Sequence, residues 1–125
     1  MINNERLVNL FMEMVQIDSV SFQEAAYKEY LRSHLQARGL LVKEDNSADV
    51  TGSNSNNLIA FLPGRRQNSP IILLGVHMDT VEPGKGIKPQ LKDGRITASG
   101  DTILAADDKA GVAVILEMLD LLLTN

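Results

Sequence analysis

The sequence predicts an α/β domain in which helices cover a central, mostly parallel sheet. Three observations point there. Helical periodicity opens and closes the chain. Short β-type runs bounded by turn signals lie between those ends. Pro70-Ile-Ile-Leu-Leu-Gly-Val76 is a continuous apolar run, the pattern of a strand buried on both faces of a parallel sheet. The 125 residues suit one domain, and a hydrophobic fraction of 44% is enough to bury a core.

Leu7, Leu10, Phe11, Met14 and Val15 recur at helical spacing, so residues 4–16 are expected to form an amphipathic helix. Ser21-Phe-Gln-Glu24 has the spacing of a capping box, which would open a second helix running to about Arg38. Gly39 stands where a left-handed residue stops it. Residues 40–44 and 57–62 are short β-type runs, and the polar, Asn/Ser-rich residues 45–56 between them are expected to form a mobile loop. Beyond the apolar run, residues 83–86 make a sharp loop and residues 91–97 a hairpin turning at Asp93-Gly94. From Asp108 to about Leu123 the chain is helical again, with Val112, Ile115, Leu116, Leu119 and Leu123 as its apolar stripe. No internal repeat is visible.

Composition removes several function classes. A formal charge of −4 and an isoelectric point near 5.1 argue against a nucleic-acid or anionic-membrane partner. Arg65-Arg66 is the only adjacent basic pair. With no cysteine there is no disulfide framework and no thiolate ligand, so any metal must be held by His, Asp and Glu. Glu5 and Glu13 fall where a signal peptide would be cationic and then apolar. The most apolar stretch, residues 111–123, is interrupted by Glu117 and Asp120 and is shorter than the ~20 residues of a membrane span. The expected location is therefore the cytoplasm.

Two motifs carry chemistry. His77-Met78-Asp79 follows the apolar run, where open α/β sheets place their ligand crevices. Imidazole is a common zinc ligand, and a carboxylate two residues on, pointing to the same side of an extended chain, can accept the other ring N–H. The plainer reading is a histidine satisfied at a strand end beside an acidic loop. Asp107-Asp108 is the second motif, two adjacent carboxylates opening a helix. One can cap the helix while the other faces outward toward a cation. The plainer reading makes both ordinary capping acids, with Lys109 as a solvated partner. Ala105, Ala106, Ala110 and Gly111 around the pair favour close approach of a strand or a ligand.

Taken together, His77-Met-Asp-Thr-Val and Thr102-Ile-Leu-Ala-Ala-Asp-Asp-Lys-Ala-Gly111 resemble the di-zinc metallopeptidases that include peptidase T, glutamate carboxypeptidase and succinyl-diaminopimelate desuccinylase. The wording is most similar to the peptidase T (tripeptide aminopeptidase) branch, as are Val81-Glu-Pro-Gly, Leu91-Lys-Asp-Gly and Gln16-Ile-Asp-Ser-Val. The likeness runs along the whole chain. It implies that His77 ligates one zinc, that Asp79 supports catalysis by orienting His77, and that Asp107 bridges both metals. It also implies a cis peptide between Asp107 and Asp108. If His77 and Asp107 share an ion at about 2.0–2.2 Å each, their ligand atoms should lie about 3–4 Å apart. Sequences of that branch usually carry glycine where this chain has Ala105, a replacement that a negative φ would make harmless.

The resemblance implies a zinc-exopeptidase-like fold, truncated here, in which residues 1–125 are the N-terminal part of the catalytic, zinc-binding domain. The implied parent hydrolyses peptide bonds in short peptides with two zinc ions, cobalt or manganese serving as substitutes in vitro, and forms a homodimer through a lid domain outside this chain. The general base and remaining ligands would also lie outside it, leaving the isolated chain inactive. Alternatives are a deacylase or carboxypeptidase of the same family, or a non-catalytic binding module that keeps the fold. His34 reads as a plain helical residue. Gly84-Lys85 lacks the rest of a phosphate loop, Val50 stands where a calcium loop needs glycine, and Ser19, Ser21 and Thr80 have no histidine partner for a serine triad.

Overall fold

Helix α1, Asn4–Val15, starts where the Asn3 side chain accepts a hydrogen bond from the Arg6 amide, and it buries the periodic face Leu10, Phe11, Met14 and Val15. The computed structural model describes residues 1–66 and 68–124. Helix α2, Ala25–Ala37, lays Tyr27 and Leu31 into the same core. Helix α4, Ala106–Thr124, adds Val112, Ala113, Leu116 and Leu119. Met14, Val15, Tyr27 and Leu116 are fully buried, each worth roughly 1.5–3 kcal/mol of removal from water. The expected stripe of α4 holds at Val112, Leu116 and Leu119, but Leu123 faces solvent and the buried Glu117 takes part instead. Glu117 is satisfied there by Arg6 Nε at 2.7 Å and the Asn3 amide at 2.7 Å, which ties the start of α1 to the side of α4.

The capping box does not form. The Glu24 carboxylate accepts from the Phe22 amide at 2.7 Å and from Ser53 Oγ at 2.6 Å, while Ser21 turns away to Asp79. The first amide of α2, that of Ala25, is met instead by Asn54 Oδ1 at 3.0 Å, so a distant loop supplies the cap. Gly39 does end the helix region, at φ 77.

Strand β1, Leu41–Glu44, pairs antiparallel with β2, Leu58–Phe61, in the register Leu41 to Phe61. Lys28 Nζ lies 3.0 Å from Glu44 Oε1, and Arg32 pairs with the same carboxylate, docking α2 on β1. The segment between the two strands is organised, against expectation. Asp45 accepts from the Ser47 hydroxyl and amide and from the side chain and amide of Asn57. Those bonds, the Ser47 hydroxyl foremost, hold its carboxyl well below the usual range, and a short helix α3, Ser47–Thr51, sits inside the loop they close. Strands β3, Lys88–Lys92, and β4, Arg95–Ser99, form the hairpin the sequence predicts, with Asp93 and Gly94 at φ 50 and 73.

The central, mostly parallel sheet is not found among the described residues. Both sheets there are two-stranded and antiparallel. Residues 70–76 join neither, and Ile71, Ile72 and Leu73 are 87%, 80% and 90% exposed. A strand buried on both faces needs neighbours to take its amides and carbonyls. The elements described here do not provide them. Among the described residues, parallel pairing is limited to an isolated bridge between Val20 and Thr80. No helix among the described residues is long and apolar enough to cross a membrane.

Candidate functional site

His77 follows the apolar run, and the chain after it is held in place by the Val20–Thr80 bridge. The Thr80 amide donates to the Ser19 carbonyl at 2.8 Å, and the Ser21 amide to the Thr80 carbonyl at 3.1 Å. Asp79, between His77 and that bridge, is thus fixed in its backbone. His77 Nδ1 lies 2.9 Å from the Asp79 carbonyl and 3.1 Å from Asp79 Oδ1. The other carboxylate oxygen, Oδ2, accepts from Ser21 Oγ at 2.6 Å.

Asp107 comes from a different element, 30 residues further along the chain. At the start of α4 the backbone is non-helical at Asp107 and Asp108, and the peptide between them is cis. The two carboxylates divide their work there. Asp108 Oδ1 accepts from the Gly111 amide at 3.1 Å and caps the helix. Asp107 points outward, its side chain 94% exposed, with Oδ1 3.0 Å from His77 Nε2. Gly111 leaves room for this, because a Cβ on it would force the Asp108 carboxylate to turn away.

Two features of this corner differ from the sequence reading. Ala105 adopts φ 60, a left-handed conformation, so the alanine is not the harmless replacement expected from a negative φ. An L-residue there costs roughly 1–2 kcal/mol, the physical reason a glycine suits the position. Lys109 is not solvated. It is 1% exposed, donates to the Met14 and Ile17 carbonyls at 3.1 and 2.5 Å, and lies 4.4 Å above the Tyr27 ring. Burial pushes its amine down to about 8. Its charge meets carbonyls in the last turn of α1 and just past it, so it pins the Asp107–Asp108 turn to that helix. Nothing in the spacing of the sequence marked Lys109 or Ser21 for these roles, because each partner is distant in the chain.

The electrostatics centre on one ring. Both nitrogens of His77 face oxygen acceptors, yet a neutral imidazole has a single N–H to donate. The Asp107 carboxylate foremost, backed by Asp79 and opposed by partial burial, raises the His77 pKa above its ordinary value. The same arrangement, an imidazole nitrogen and a carboxylate oxygen converging at an exposed corner, fits a divalent cation. No group of three or more His, Asp or Glu side chains that could hold a metal occurs among the described residues. A cavity of about 610 Å³ borders His77, Met78 and Asp79, with Ser21 and Phe22 on one side. His34 lies apart, its ring against Tyr30 and its carbonyl accepting from Arg38.

No family model matches the chain. It is 43% identical over 122 residues to the uncharacterized protein YqjE of Bacillus subtilis, covering 98% of this chain and 33% of that protein. Peptidase T of Aeromonas salmonicida is 32% identical over 126 residues, covering 76% of this chain and 29% of its own length. Among solved structures, the aminopeptidase PepT of Bacillus cereus superposes with a TM-score of 0.94 at 48% identity, over 97% of this chain and 32% of that one. A tripeptidase of Staphylococcus aureus gives 0.93 at 44% identity, over 98% and 33%. The chain spans about a third of the length of these relatives. In sequence and in fold it is peptidase T-like over the stretch that it spans.

Proposed function

We propose that this chain supplies part of the active site of a zinc-dependent exopeptidase that hydrolyses peptide bonds in short peptides, tripeptides foremost. The observation that carries this reading is the His77 ring, whose two nitrogens both face acceptors, with Nε2 3.0 Å from Asp107 Oδ1. A cation between Nε2 and Asp107 removes the meeting of two lone pairs that a neutral ring would otherwise suffer. The aminopeptidase and tripeptidase named among its structural relatives support the reaction class.

In this reading His77 and Asp107 hold the metal, and the outward-facing Asp107 is the carboxylate suited to bridge two ions. Asp79 accepts from Nδ1 and keeps the Nε2 lone pair directed at the metal. Lys109 and Asp108 keep Asp107 at the crevice from behind. Bound zinc supplies a Lewis acid for the scissile carbonyl and lowers the pKa of the attacking water. Residues 1–125 then form part of the zinc-binding domain of a cytoplasmic enzyme, dimeric through a lid domain, with short peptides rather than nucleic acid or membrane as partners. Catalytic zinc sites use about three protein ligands, so the isolated chain is inactive.

The test is a chimaera in which residues 1–125 replace the matching stretch of the Bacillus cereus aminopeptidase. It is expected to cleave tripeptides and to carry zinc. His77→Ala should lose metal and activity together. Asp79→Asn should keep most of the metal while turnover falls ~10–100-fold. A folded, metal-loaded chimaera without hydrolysis would overturn the function, and equal metal loss in both variants would overturn the assigned roles.

A further inference from the structure

We propose that the Ser21 hydroxyl is a positioning residue for His77, acting through Asp79. A carboxylate has two oxygens, and in Asp79 each has one task. Oδ1 lies 3.1 Å from His77 Nδ1, and Oδ2 accepts from Ser21 Oγ at 2.6 Å. The second bond is the short, charge-assisted kind. It matters because the Asp79 side chain is 42% exposed and would otherwise be free to turn toward water. With Oδ2 held, the carboxylate plane stays where Oδ1 meets the imidazole, and it adds to the Asp79 carbonyl, 2.9 Å from Nδ1, in favouring the Nδ1–H form of the ring. That form leaves the Nε2 lone pair facing Asp107.

The serine is placed for this task by backbone alone. The Ser21 amide donates to the Thr80 carbonyl and the Thr80 amide to the Ser19 carbonyl, closing a parallel bridge at Val20 and Thr80. Ser19 and Thr80 are both buried in it. The hydroxyl itself therefore has no part in holding the segment. Nor does it cap α2, whose first amide is met by Asn54. Its one partner among the described residues is Asp79. The consequence for metal rests on the proposed reading of His77 as a ligand; the consequence for the ring does not.

The test separates the two. In the chelator-treated chain, long-range ¹⁵N–¹H correlation spectra above the pH of ring titration report the ratio of Nδ1–H to Nε2–H forms of His77. Ser21→Ala should shift that ratio roughly threefold to tenfold toward Nε2–H, the scale of one partly exposed hydrogen bond to a charged group. The amide signals of Val20 and Thr80 should stay in place, and Ser21→Thr should restore the ratio. An unchanged ratio in Ser21→Ala, or equal shifts in the Ala and Thr variants, overturns the proposal. Cobalt titration of the same chains forms the second arm. Weaker cobalt binding in Ser21→Ala, absent in His77→Ala, supports both readings. Cobalt binding that survives His77→Ala unchanged overturns the metal reading and leaves the ring result standing.

Discussion

A single imidazole between two carboxylates decides the chemistry of this corner. His77 has more acceptors around it than hydrogens to give, so its preferred partners are a second proton or a metal ion. These compete, and the metal-free protein should show the proton's side of the competition. The His77 ring is expected to titrate above the ordinary 6.5, chiefly because of Asp107. Asp107→Asn removes that largest cause and should return the midpoint toward 6.5, as read by NMR titration of the chelated chain. The sign follows from the raised value. The pair contributes stability fully below the unfolded pKa, and the contribution is lost as pH rises through the folded one. A midpoint unmoved by Asp107→Asn would mean that the contact is not maintained in solution.

At the scale of an element, the start of α4 joins demands that conflict with ordinary helix rules. Ala105 stands at positive φ, Asp107 and Asp108 are non-helical, and a lysine is buried in the first turn. Gly111 is the position where this shows most simply. In an exposed helix, Gly→Ala gains about 0.8–1 kcal/mol of propensity. Here the new methyl meets the Asp108 carboxylate and displaces the cap, a loss of up to ~2 kcal/mol that outweighs the gain, so Gly111→Ala should be destabilising by up to ~1 kcal/mol. In an Asp108→Ala background the obstacle is gone, and the same substitution should stabilise by about 0.5–1 kcal/mol. Urea unfolding of the four proteins of this cycle measures the change of sign; a destabilising Gly111→Ala in both backgrounds would place the conflict elsewhere. Element identity itself was legible for α1, α2, β1, β2, the hairpin and α4, because each rests on local periodicity and turn residues. The cap of α2 was not. Ser21 and Glu24 have the right spacing, but Asp79 and Ser53 are the partners they meet in space.

For the whole molecule the unpaired residues 70–76 dominate. Ile71, Ile72 and Leu73 lie almost fully in solvent, next to further exposed apolar groups at Leu74 and Val76. An exposed apolar segment that joins neither sheet is a template for another strand. The isolated chain is therefore expected to associate with its own copies as concentration rises. Leu73→Lys should shift it toward monomer in sedimentation velocity without changing its circular dichroism, since this side chain is almost fully exposed. Association that is equally strong in the lysine variant would assign it to another surface.

By itself the sequence determined the local elements, the absence of thiolate chemistry, and the types and positions of the residues that meet at the site. His77 and Asp79 are two residues apart at the end of an apolar run, and Asp107 and Asp108 open a helix, so local rules singled out these candidates, while the choice of Asp107 over Asp108 came only with the family resemblance. Tertiary structure alone decided what surrounds them. It brought Asp107 to within 3.0 Å of His77 Nε2, turned Ser21 onto Asp79, and sent Lys109 into the core over the Tyr27 ring. Among the described residues it also gives the apolar run none of the parallel partners its composition called for. The reason is common to all four. Periodicity and turn chemistry act over a few neighbouring residues, whereas a carboxylate's partner or a strand's neighbour is chosen by whichever distant groups the packed chain brings within hydrogen-bond reach.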